Sequence, residues 1–112
     1  MIKDWNEYRD SLIAATKRLA SLNPDLWAGY RAMGQLATKP GKLDRKTHEL
    51  IAIGVAITLR CEGCISAHVH GAKQAGATEE EIAEAMGAAA MVNTGAALVY
   101  SAHAIEAFEN LK

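Results

Sequence analysis

A chain of 112 residues with a formal net charge of −1 has no basic surplus to hold a phosphate backbone, so an electrostatically driven nucleic-acid binder is excluded. Half of the residues are hydrophobic, but alanine weights that half, with one Phe, two Trp and three Tyr, so a core built from it buries little area per side chain. The length suits one all-α domain over residues 1–112, and the shortage of buried area predicts a homo-oligomer.

The first twenty residues carry Lys3, Asp4, Glu7, Arg9, Asp10, Lys17 and Arg18 with no apolar run among them. No signal-peptide pattern is visible there, and a cytoplasmic location is expected. In that reducing compartment a cysteine pair is more often catalytic or metal-binding than structural. Trp5, Tyr8, Leu12, Ala15, Leu19 and Leu22 recur at steps of three and four, the stripe of an amphipathic helix. Asn23-Pro24 ends it and opens a second helix over about 24–37, since Asn caps well and Pro fits the first helical position.

Thr38-Lys39-Pro40-Gly41-Lys42 reads as a loop. Asp44 then caps a third helix to about Arg60 that is apolar on nearly every side from Leu50 to Leu59, which predicts a buried central helix. Glu49 stands at the mouth of this run. It suits either a surface pair with Arg45 at i, i+4 or a partly buried carboxylate that orients an imidazole. A fourth helix runs from the cysteine stretch to about Ala75 and stops at Gly76. Thr78-Glu79-Glu80-Glu81 is a capping box for the next helix. From Ala85 to Ile105 there is no Asp, Glu, Lys or Arg, the length of a membrane span. The run is Ala- and Gly-rich and is interrupted by Asn93-Thr94-Gly95. It is read as two buried helices joined by a turn, with a polar tail over 106–112, and no membrane partner is expected. The total is about six helices.

The chemistry concentrates in Arg60-Cys61-Glu62-Gly63-Cys64-Ile65-Ser66-Ala67-His68, which holds both cysteines. On a helix Cys64 and His68 share a face, and Cys61 and Cys64 are close enough to close a disulfide. Three readings fit the spacing: a redox-active dithiol, half of a zinc site completed by His68 and His70, or two small apolar residues. Zinc favours two such knuckles and only one is present, so no metal or other cofactor is expected. Helix N-terminal N–H groups, Arg60 and His68 all favour a thiolate at Cys64, which is expected to attack. Cys61, further out at the helix mouth, is expected to resolve and to meet the reductant.

Leu43-x-x-Lys46-x-x-Glu49-Leu50-Ile51, then Cys61-x-x-Cys64-x-x-x-His68 and a glycine-ended helix, resemble the alkylhydroperoxidase D-like group of the carboxymuconolactone decarboxylase superfamily. The likeness spans roughly residues 43–102. It implies an all-helical fold, trimers or hexamers, and thiol-dependent reduction of peroxides or small disulfides. The electrons would come from a lipoyl- or thioredoxin-like dithiol. It also implies catalytic positions at Cys61, Cys64, His68 and Glu49. Where better-studied members of the group carry a second histidine just before the second cysteine, this chain has Gly63. The alternatives are a cofactor-free decarboxylase or isomerase using His68 and Glu49, and a zinc-binding or scaffold oligomer without enzymatic activity. With straight antiparallel helices, Glu49 falls about 18 Å from the bend and His68 about 10 Å, leaving an offset of about 8 Å. Direct contact therefore calls for crossed or kinked helices, a bridging water or a neighbouring subunit.

Overall fold

Five helices follow one another in a computed structural model that describes residues 1–39 and 41–112, with every side chain among them except those of Ala37 and Thr38. They are α1 (Trp5–Leu22), α2 (Pro24–Thr38), α3 (Arg45–Leu59), α4 (Glu62–Gln74) and α5 (Glu79–Asn110). Among the described residues there is no strand.

Short polar side chains set the boundaries by bonding the N–H groups that a helix start leaves unpaired. Asp4 accepts from Asn6 and Glu7, Asn23 from Leu26, and Asp44 from Thr47. Thr78 and Glu81 close the expected capping box on α5. Pro24 occupies the first turn of α2. Of the expected 38–42 loop, Pro40 lies outside the described residues.

The core lies where α3 meets α4, at Ile53 and Ala56 of α3 and Ala72 of α4. Helix α3 also touches α2 and α5, and α1 packs on α2 and α4. The expectation of a helix buried all round holds for only part of α3, because Ile51, Val55 and Leu59 on its other side are exposed. The stripe of α1 divides similarly: Trp5, Tyr8 and Leu12 are partly covered, while Leu19 and Leu22 face outward.

The expected break at Asn93-Thr94-Gly95 does not form, so the helix count falls to five and the tail is helical to Asn110. Asn93 is held inside the helix by donating to the Ala89 carbonyl at 2.8 Å and to the Thr58 hydroxyl of α3 at 2.9 Å. From Met91 onward every residue of α5 is exposed. The radius of gyration is 18.1 Å, against about 13 Å for a compact chain of this length. By length and composition α5 could cross a membrane.

Lys46 of α3 donates to Glu81 of α5 at 3.0 Å and ties the start of the long helix to the core. That bond, together with the Thr78 N–H, lowers the Glu81 carboxyl below its ordinary 4.5. The Thr47 hydroxyl and N–H lower Asp44 below 3.8. Both groups contribute stability above those ordinary values and lose it as the pH falls through the lowered ones. The thermal midpoint should therefore drop as a titration descends from about pH 5. Asp44→Asn and Glu81→Gln together should flatten that descent, and an unchanged slope would count against these two bonds as its source.

Candidate active site

The turn between α3 and α4 is tight, and that tightness places the cysteines. Arg60 ends α3 in the left-handed region, at φ 55° and ψ 42°, with its N–H shared between the carbonyls of Ala56 and Ile57. A non-glycine residue there costs about 1 kcal/mol. The Cys61 N–H then donates to the Ala56 carbonyl at 3.0 Å, and α4 starts at Glu62.

Cys61 is the N-cap of α4, and its sulfur accepts the Cys64 N–H at 3.2 Å. The two cysteines form a disulfide across one helical turn, with Cα atoms 5.2 Å apart. Both residues are half-buried. The backbone donor on Cys61 is a feature that spacing does not reveal, since it depends on where the helix begins. Negative charge on that sulfur gains from it as well.

One turn beyond Cys64 on the same side of α4, His68 Nδ1 lies 2.8 Å from Glu49 Oε2 of α3. The contact is direct and lies within one chain. Glu49 is only 5% exposed, and its other oxygen is 4.0 Å from Arg45 Nε. Of the two readings considered for Glu49, the buried carboxylate against an imidazole is the one observed, with Arg45 near its other oxygen rather than paired with it at the surface.

The expected offset between Glu49 and His68 is bridged by the side chains themselves, and Gly71 makes room for that. A Cβ built there would lie 2.7 Å from Glu49 Cδ, so the carboxylate rests against the backbone of α4 where any other residue would place a methyl group. From that seat it reaches His68, three residues earlier. An imidazole that carries its proton on Nδ1 donates it to Glu49, and the neutral form of that tautomer has Nε2 as its acceptor. Gly71 is the residue that sequence reasoning missed, because a glycine inside a helix carries no sign of what it accommodates.

Gly71→Ala should therefore expel the carboxylate from its seat. Any proton transfer that depends on His68 should slow by about 10²-fold, while chemical oxidation of the two thiols by excess diamide remains complete. Unchanged proton-transfer kinetics would show that the Glu49–His68 bond is not used.

Gly63, between the two cysteines, faces α1. A Cβ there would lie 2.9 Å from Leu12 Cδ2 and 3.8 Å from the Tyr8 hydroxyl. Helix α1 covers this side of the cysteine turn and is tied down by an ion pair between Lys3 and Glu62. Lys3 also sits 4.2 Å over the Tyr8 ring. A histidine at position 63 would need Leu12 to move, which gives the departure from the resembled motif a packing basis.

His70, considered as a zinc completer together with His68, projects from the other side of α4. Among the described residues no three His, Cys, Asp or Glu side chains are grouped to hold a metal ion.

The carboxymuconolactone decarboxylase family model matches residues 24–107, which takes in α3, the cysteine turn and α4. The chain belongs to the carboxymuconolactone decarboxylase family. An uncharacterized protein of Haemophilus influenzae is 44% identical over 108 residues, covering 96% of each chain. Protein 4 of the cox locus of Paracoccus denitrificans, also uncharacterized, is 37% identical over 82 residues, covering 73% of this chain and 74% of its own. The apo crystal structure of a carboxymuconolactone decarboxylase family protein from Legionella pneumophila superposes with a TM-score of 0.76. It is 36% identical and covers 94% of both chains. The alkylhydroperoxidase D-like resemblance drawn from the motif is consistent with this family.

Proposed function

We propose that this family member is a thiol-dependent oxidoreductase that reduces organic peroxides or small disulfides. The observation that carries the reading is a disulfide-forming Cys61–Cys64 pair one helical turn from an imidazole held by a buried carboxylate.

In the reduced protein His68 Nε2 takes the proton from Cys64, and the thiolate attacks the terminal oxygen of R–O–OH. The O–O bond breaks, the alkoxide leaves, and the proton held on His68 neutralises it to the alcohol. Cys64 is now a sulfenic acid. Cys61 attacks that sulfur, the disulfide closes and water leaves. An external dithiol then reduces the disulfide by exchange and becomes oxidised itself. Glu49 keeps the imidazole in one tautomer and stabilises its charged form through each transfer.

The test is a thiol count. Reduced protein should show two free thiols per chain and lose both to one equivalent of cumene hydroperoxide, with one equivalent of alcohol formed. Turnover should then follow on addition of dihydrolipoamide or reduced thioredoxin. Thiols that survive peroxide would end the peroxidase reading, and reduction of a small disulfide would keep the dithiol reading.

A second reading has its own observation. The Glu49–His68 pair is complete without either sulfur and is a general base in its own right. It suits a cofactor-free decarboxylase or isomerase acting on a lactone, in keeping with the family name. The Cys61→Ser, Cys64→Ser double variant separates the two, because activity that persists in it belongs to the base alone.

A further inference from the structure

The residues of α4 divide into two sides. His68 and Gly71 meet Glu49 of α3 on the side that Cys64 shares by its spacing, whereas Ile65, Val69 and Lys73, spaced at four, run along the side that faces the start of α1. Between that side and α1 lies a cavity of 460 Å³, within the range that small organic ligands occupy. Trp5, Ile65 and Val69 supply apolar walls, and Arg9, His70 and Lys73 bring three basic side chains to the same space. In a chain of net charge −1 this is a local excess of positive charge. None of the three is ion-paired among the described residues.

Ser66 gives an independent sign. It is only 8% exposed and lines the cavity. Serines and threonines inside these helices commonly donate back to a carbonyl of their own helix, as Thr58 does to Gly54 and Ser101 to Ala97. Ser66 makes no such bond, and no other described residue partners its hydroxyl. Its oxygen is not sealed from solvent, so it stands in the cavity wall as a free hydroxyl that a ligand can engage.

We infer that this cavity is a binding site for an aromatic carboxylate. The ring lies against Trp5, Ile65 and Val69. The carboxylate meets Arg9 and Lys73 at the rim, and Ser66 donates to it from the wall. The site is separate from the sulfur chemistry, because it opens on the opposite side of α4 from Cys64 and His68. Its occupant braces α1 against α4, the same pair of helices that packs Tyr8 and Leu12 over Gly63. Phosphate alone would engage the bases and leave the apolar walls uncovered.

Trp5 is the built-in reporter once the other tryptophan is removed as Trp27→Phe. Titrating that protein with benzoate should give a saturable change in Trp5 emission. Benzamide, of the same shape but uncharged, should bind about tenfold more weakly or not at all. Inorganic phosphate should likewise be at least about tenfold weaker than benzoate. Arg9→Gln with Lys73→Gln should weaken benzoate by about tenfold or more, and Ser66→Ala by several-fold, with helical circular dichroism unchanged. The double cysteine-to-serine variant should bind benzoate as the parent does. The inference is overturned if benzoate gives no saturable change through the millimolar range. It is equally overturned if benzamide or phosphate matches benzoate, or if the Arg9 and Lys73 substitutions leave benzoate binding intact in a folded protein.

Discussion

Cys64→Ser is expected to abolish oxidation of the protein by peroxide, and Cys61→Ser to permit a single oxidation that stops at sulfenic acid. Two effects compete for the attacking role. Cys64 shares a side of α4 with His68, whose Nδ1 is anchored by Glu49 at 2.8 Å, leaving Nε2 to accept the thiol proton. Cys61, as the N-cap, has the Cys64 N–H donated to its sulfur at 3.2 Å. A single backbone donor stabilises a thiolate that is already formed. It supplies no group to take up the proton or to return it to the departing alkoxide. An imidazole does both, and general acid–base assistance contributes about 10²–10⁴-fold. Dimedone should therefore label Cys64 in the Cys61→Ser protein after one equivalent of peroxide, and mass spectrometry should find no label in the Cys64→Ser protein. His68→Ala should slow the labelling without moving it. Label on Cys61 in the Cys64→Ser protein, with none on Cys64 in its counterpart, would show that the N-cap donor outweighs the imidazole and would exchange the two roles.

The N-cap observation also shows what the sequence could carry. Helix starts at Asp44 and Thr78, and the junction at Asn23-Pro24, were legible because their signals are local: an oxygen accepting an N–H two or three residues on, and a proline where no donor is needed. The motif residues were legible for the same reason, being close in sequence on one helix. What failed depends on partners distant in sequence. Asn93-Thr94-Gly95 has the composition of a turn, and Gly95 costs a helix about 1 kcal/mol relative to alanine. Asn93 instead bonds Thr58 on α3, and an unbroken α5 keeps every backbone bond in that stretch. The apparent gap between Glu49 and His68 came from measuring along straight antiparallel helix axes before any side-chain reach. The Glu49 carboxylate spans it by lying against the backbone of α4 at Gly71, a contact that a one-dimensional pattern does not contain.

The distal half of α5 leads to the last expected result, that the protein is a stable homo-oligomer and that polar substitutions on this helix dissociate it. Val92, Leu98, Val99, Ile105 and Phe108 are all largely exposed in one chain, Phe108 at 86%. Burying one such side chain contributes roughly 1.5–3 kcal/mol, so several together are comparable to the whole stability margin of an ordinary small domain. The exposed side of α3 continues this surface. Ile51, Val55 and Leu59 join Val92 and Ala96 around an open apolar trough of 370 Å³. A helix that overhangs its own core, as α5 does, needs a partner to cover it, and the capped, unbroken α5 presents the same residues in every copy. Light scattering at micromolar concentration should report a mass of three or six chains. Leu98→Asp with Phe108→Asp should shift it to smaller species with lower thermal stability. A stable, soluble monomer of the unaltered chain would refute the assembly. A protein that stays monomeric and sediments with phospholipid vesicles would assign the same helix to a bilayer instead. Because Glu49, His68 and both cysteines are assembled within one chain, the dissociated variant should still form the Cys61–Cys64 disulfide with peroxide, provided α3 and α4 remain folded.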